Sequence, residues 1–351
     1  MDSPPSHWSF SSPVLFGGAS GLLLLFGLYV SGMALSPEPE PSRSPIRADG
    51  WERVNTENAP TARHENAFVE AGGLFYLLGG RGERPVNMYD PQTQRWSSGP
   101  APPFQMHHVQ AVTYDGDIYI VGAWSDDYPR ENGLSHVYVY DTDRDEWRQG
   151  APIPPGRRRG AAGAVVREGT IYVVGGIVGG HGPHATAVPW FDAFDPETGE
   201  WTALRDRPAP HARDHFQAAL VNDKLVVLGG RDSGVEGFID STLSAVDVYD
   251  FQAGRWSTWD DAPLPTERAG CTATVRGDEV IVTGGEGFGQ TWGQTEALNV
   301  KTREWRSLGR LNQSRHGTQM FLYQDQLYIA AGSGDQGGGP ELTSMETYAF
   351  E

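Results

Sequence analysis

The sequence predicts an all-β fold: a six-bladed β-propeller built of four-stranded antiparallel blades. Three observations carry this. A short β-rich run ends in a pair of small residues six times along the chain. A tryptophan follows each of the first five pairs, always six residues after an Asp or Asn. Glycine (45 residues) and proline (25) are abundant, as many short strands and tight turns require.

The small pairs begin at Gly79, Gly122, Gly175, Gly229, Gly284 and Ala331. The tryptophans are Trp96, Trp147, Trp201, Trp256 and Trp305, each six residues beyond Asp90, Asp141, Asp195, Asp250 and Asn299. The sixth copy ends at Tyr348-Ala349-Phe350-Glu351 without its tryptophan. Trp51 lies 28 residues before Gly79, the step that also separates Trp147 from Gly175 and Trp201 from Gly229. Trp51 is therefore in phase and predicts that an N-terminal strand closes the last blade. Residues 50–351 divide by six into about 50 residues per blade. In the third blade the strands are expected at 159–166, 170–176 and 190–195, with the outer one starting at Trp201. The glycine pairs let the second strand pass where a Cβ would clash, and the tryptophans fill the gaps between blades.

Ahead of the propeller, residues 1–36 form a hydrophobic leader, and residues 37–49 a linker rich in Pro, Glu and Ser. Val14–Ala34 is a 21-residue run without charge, long enough to span a bilayer. It reads either as a signal peptide cut after Ala34 or as an uncut membrane tether through residues 14–34. No Lys or Arg precedes it, and Arg43 and Arg47 follow it, which on the positive-inside rule alone favours a cytoplasmic propeller. A stiff acidic spacer before a globular module suits export, so an extracytoplasmic or membrane-anchored protein is expected.

Net charge is −18, from 27 Lys+Arg against 45 Asp+Glu. Such a chain lacks the basic face needed for nucleic acid or for an anionic membrane surface. The single cysteine, Cys271, permits no intramolecular disulfide and no cysteine-based zinc site; a buried, inert thiol is expected.

The repeat also locates a functional face, because inner strands start, and second strands return, at one mouth of the channel. Sixteen residues before each small pair stand Arg63, Met106, Arg159, Arg213, Arg268 and Arg315. This near-complete ring of guanidinium groups has two readings: bracing of loops by pairing with carboxylates, or capture of anionic and polyhydroxy ligand groups. The next position holds His64, His107, Gly160, Asp214, Ala269 and His316, and the one after holds Glu65, His108, Ala161, His215, Gly270 and Gly317. Four blades bring imidazoles or carboxylates and two leave space, which predicts an asymmetric pocket. Two positions further on, Gln110, Gln217 and Gln319 are expected to face the channel, whereas the following residue faces the core. Arg231, Glu286 and Glu341, in the insertions after the small pairs, join the expected ligand-binding set of Arg63, His64, His107, Arg159, Arg213, Arg268, Arg315 and His316. Eight of ten histidines fall in mouth-directed segments, His181 and His184 among them.

The small pairs, the aromatic-Asp step to Trp and the arginine at the inner-strand start resemble the Kelch superfamily over roughly 300 residues. The resemblance implies the propeller, and it leaves function open: Kelch propellers include protein-interaction modules, a copper radical oxidase and a six-bladed sialic acid mutarotase. The copper-oxidase pattern needs a Tyr-His pair, which this chain lacks. The expectation is a propeller that binds a carbohydrate-like, anionic ligand at the mouth, with no cofactor. The alternatives are a carbohydrate isomerase, mutarotase or lyase, and a protein-interaction module. No catalytic residue is assigned outright; His108, His215, Glu65 and Asp214 are the candidates for proton transfer. No metal is assigned, although several mouth histidines could share one. The Asp141-x-Asp143-x-Asp145 run lacks the Gly and Glu of a calcium loop and reads as a solvated turn.

Overall fold

The computed structural model describes residues 50–350. Among them are six four-stranded antiparallel sheets. Five of the sheets run inner to outer in chain order, as in Gly163–Arg167, Thr170–Val174, Phe191–Phe194 and Trp201–Ala203, and the sixth takes its outer strand from the N-terminal side. The hydrophobic leader, the linker and the tether at 14–34 lie outside the described residues. No described helix is long and apolar enough to cross a membrane.

Ring closure follows the phase of the tryptophans. The strand Glu52–Arg53 pairs with Met345–Ala349, with Glu52 opposite Thr347 and Arg53 opposite Glu346. Trp51 is buried, and its Nε1 donates to Thr295 Oγ1 of the fifth blade at 2.8 Å. Three of the other outer-strand tryptophans act in the same way, whereas Nε1 of Trp96 and of Trp201 is buried without a hydrogen bond. Trp147, Trp256 and Trp305 donate to the carbonyls of Pro100, Arg207 and Ala262, on the segment arriving from the preceding blade.

The small pairs are stitching points between blades. The N–H of Gly80, Gly176, Gly230, Gly285 and Gly332 donates to the carbonyl of Met106, Arg213, Arg268, Arg315 and Arg63 respectively, in the next blade around the ring. At Gly284 (φ +68°) a Cβ would lie 2.6 Å from the Arg315 carbonyl oxygen, so that approach excludes any side chain.

Inner strands start later than the sequence suggested. The third blade's begins at Gly163, not Arg159, and the others begin at Asn66, Ala111, Ala218, Thr272 and Met320, likewise several residues past the ring position. The cause is a left-handed residue two positions after each ring arginine or Met106. Glu65, His108, Ala161, His215, Gly270 and Gly317 have φ from +52° to +67°, which breaks the extended ladder. These six positions are linked in a circle. The N–H groups of His108, Ala161, His215, Gly270 and Gly317 each donate to the carbonyl of the preceding member, and Asn66 N closes the ring on Gly317 O.

Beneath this circle the channel is plugged. Gln110 bonds both Ala164 N and the Ala218 backbone, Gln319 bonds the Ala111 backbone, and Gln217 bridges Thr272 Oγ1 and Thr318 O. The glutamines face the channel as expected, and the residues after them are buried in the core. The site is therefore a cup with a floor, not a bore.

Candidate functional site

The five ring arginines are at most 2 % exposed and sit behind the cup. Arg315 donates to the carbonyls of Ala331 and Ser344 and to Glu346 at 2.6 Å. Arg213 pairs with Asp247, Arg268 with Glu296, Arg159 with Asp192, and Arg63 with Asn87 Oδ1. Their geometry is that of braces between inner strand, small pair and third strand, although Nε of Arg213 and of Arg268 makes no hydrogen bond. The ligand-capturing ring expected of Arg63, Arg159, Arg213, Arg268 and Arg315 does not form, because each guanidinium reaches outward into its own blade. Cys271 is buried, and burial pushes its thiol pKa up. Asp141 accepts from Arg144 N and pairs with its side chain, a local turn.

The remaining expected residues do converge. In five blades the residue after the ring position bridges to the residue after its small pair: His107 to Trp124, Gly160 to Ile177, Asp214 to Arg231, Ala269 to Glu286 and His316 to Ser333. Glu65 lies 3.7 Å from both His108 Nε2 and His316 Nδ1. His316 Nε2 lies 3.5 Å from Glu286, and Glu286 pairs with Arg231 at 2.7 Å. His64 Nδ1 meets Glu341, and Glu341 meets Arg84. His215 Nδ1 contacts Asp214 at 2.5 Å, and Asp214 also accepts from Ser233 Oγ at 2.6 Å.

His181 was outside the expected binding set, yet it completes the cluster. It comes from the loop between Ile177–Val178 and Thr186–Ala187. Its Nδ1 meets Glu131 at 2.9 Å, and Glu131 pairs with Arg81. Glu131 was missed altogether; its only sequence signal is membership of an insertion after a small pair. Trp124 packs 5.0 Å, centroid to centroid, from both His108 and His181. Gly160 makes room for it, since a Cβ there would lie 2.6 Å from the indole.

Burial sets the electrostatics. It lowers the pKa of His107 to about 4, with help from Arg81. It lowers His108 well below the usual imidazole range, reinforced by the neighbouring histidines. It also lowers His215, together with Arg231 and against the pull of Asp214. These rings are neutral at pH 7. The cup then holds three arginines (Arg81, Arg84, Arg231) against five carboxylates (Glu65, Glu131, Asp214, Glu286, Glu341). A further cavity of about 230 Å³ opens beside it, lined by His181, Ser233, Val235 and Phe238 among others.

Residues 108–332 match the family of the KLHDC2/KLHL20/DRC7 Kelch-repeats domain. The chain is 29% identical over 288 residues to the Kelch-like protein terF of Aspergillus terreus, covering 77% of this chain and 61% of that protein. It is 25% identical over 295 residues to human Kelch-like protein 23, covering 83% of this chain and 49% of that one. The chain thus spans about half to three-fifths of the length of these relatives. Among solved structures, that of YjhT superposes with a TM-score of 0.68 at 19% identity, covering 82% of this chain and 95% of that one. At that identity the likeness is one of fold.

Proposed function

The chain belongs to the Kelch-repeat family, and from that premise we propose that it binds a small, carbohydrate-like polyhydroxy ligand in the histidine-rich cup. The observation that carries this reading is the occupancy of the left-handed circle. Glycine stands at only two of its six positions; Glu65, His108 and His215 hold the same backbone conformation at roughly 1–3 kcal/mol each. That strain is repaid by no fold-wide requirement, since Gly270 and Gly317 close the circle equally well. What it achieves is to place a carboxylate and two imidazoles in one cup. The buried Nε2 of His215 and Nδ1 of His316 make no hydrogen bond within the protein, and acceptors left over in this way suit ligand hydroxyls.

The anionic preference once drawn from the arginine ring does not carry over, because those groups are buried. Of the cup's three arginines Arg84 is the most exposed, with 34 % of its side chain accessible. Export of the propeller by its leader belongs to the same proposal, and cell fractionation tests it. Calorimetry against matched neutral sugars and sugar acids tests the ligand class. Neutral sugars are expected to bind, and Glu286→Gln is expected to weaken them about tenfold, the worth of one hydrogen bond to a charged group. Absence of binding by every sugar overturns the reading. Proton NMR of any hit over time separates binding from an isomerase or lyase acting through His215 and Asp214.

A second reading rests on the rim. The exposed large hydrophobics among the described residues, Tyr128, Val235 and Phe288, all lie in insertions after small pairs. Apolar side chains gathered around one opening favour a peptide or protein partner. A partner that sugars fail to displace, and that Tyr128→Ser and Phe288→Ser release, supports this second reading over the first.

A further inference from the structure

Four of the cup's imidazoles have their tautomers fixed by their neighbours. His107 Nε2 lies 3.0 Å from the Asp126 carbonyl oxygen, which only accepts, so that nitrogen carries the proton. His107 Nδ1 is then the acceptor in its 2.7 Å contact with His108 Nδ1. His108 Nδ1 therefore donates, and its Nε2 keeps a free lone pair. His215 Nδ1 donates to Asp214, and His181 Nδ1 donates to Glu131. Their Nε2 atoms likewise keep lone pairs. The ring centroids of His108, His181 and His215 are 4.9, 5.1 and 5.4 Å apart, and one ring nitrogen from each lies within 4.8 Å of the others. Three acceptors pointed together with no donor between them repel one another, and His215 Nε2 is buried without a hydrogen bond.

We propose that His108, His181 and His215 form a three-histidine centre for a divalent transition-metal ion of the zinc type. An imidazole offering Nε2, with Nδ1–H held by a carboxylate or a second acceptor, is the arrangement that orients metal-binding histidines. All three have it, and the outer groups are themselves anchored: Glu131 by Arg81 and by His181 N, Asp214 by Ser233 and its backbone N–H. The excess of carboxylates over arginines in the cup favours a cation. Three nitrogens on a tetrahedral ion stand about 3.3 Å apart, so the triad must close by at most about 1.5 Å, which small ring rotations supply. Three protein ligands leave a fourth position toward the cup, on the side of Glu65. This inference does not depend on the sugar reading, since its readout is the metal itself.

The full chain is purified without chelator and its metal content measured against zinc, copper, nickel, cobalt and iron. One ion per chain is expected, with a Co²⁺-substituted form showing visible ligand-field absorption. His181→Gln and His215→Gln are expected to lose at least tenfold in Zn²⁺ affinity, while His136→Gln, on a third strand far from the triad in sequence, retains it. Circular dichroism identifies variants that fail to fold, and the His181 variant, altered in a loop, keeps the test decisive. Sub-stoichiometric metal with no Zn²⁺-dependent rise in unfolding midpoint overturns the proposal. So does a His181→Gln variant that binds Zn²⁺ as wild type does.

Discussion

Replacing Glu346 with alanine is expected to cost about 3–5 kcal/mol of stability, the range for removing one partner of a buried ion pair. The unfolding midpoint should fall by roughly 10 °C. Glu346 is 1 % exposed and accepts from Arg315 at 2.6 Å, from Asn312 N at 2.6 Å and from Gln313 N at 3.0 Å. Its loss strands a buried guanidinium and two backbone donors in the blade where the ring closes. A double Arg315→Met, Glu346→Leu variant should recover much of the loss, because no charge then stays buried alone. Thermal unfolding of the single and double variants checks this. A single-variant effect below about 1 kcal/mol would mean that the arginine braces are idle, and would reopen the alternative that they serve a ligand.

Trp51→Ala is the second large effect, at about 3–5 kcal/mol for a buried tryptophan. The indole is held by Thr295, its carbonyl accepts from Asn312 Nδ2 at 2.6 Å, and its ring lies 5.8 Å from that of Tyr348. Its removal should also loosen Glu52–Arg53 and bare the edge of Met345–Ala349. An exposed strand edge recruits other chains, so light scattering should show concentration-dependent association that wild type lacks. A monomeric variant with unchanged unfolding would show that the propeller closes without this segment.

The fold was legible because a propeller repeats its constraints. A glycine pair, an Asp-to-Trp step and a brace recur wherever one blade meets the next, and Trp51 could be placed by phase alone. The cup was legible only where it broke the repeat. Glu65, His108 and His215 declared themselves by standing where Gly270 and Gly317 stand. The ring arginines misled in the opposite sense: their regularity is the mark of the scaffold, and periodic spacing cannot say whether a long side chain turns inward or back into its blade. Glu131 and His181 lie in insertions of unequal length, where no period holds, so their meeting at 2.9 Å depends on loop conformation that spacing does not encode. For the same reason the tautomer relay from Asp126 through His107 to His108 is a property of the folded mouth alone.

The central question is whether the left-handed circle carries polar side chains for binding. The direct measurement uses a Glu65→Gly, His108→Gly, His215→Gly triple variant, which gives each position the residue its backbone favours. The relief of strain should offset the lost contacts, leaving stability within about 1 kcal/mol of wild type, while Zn²⁺ and sugar binding both disappear. A variant that unfolds well below wild type, or one that still binds as wild type does, would show that these side chains are part of the scaffold and not of a site.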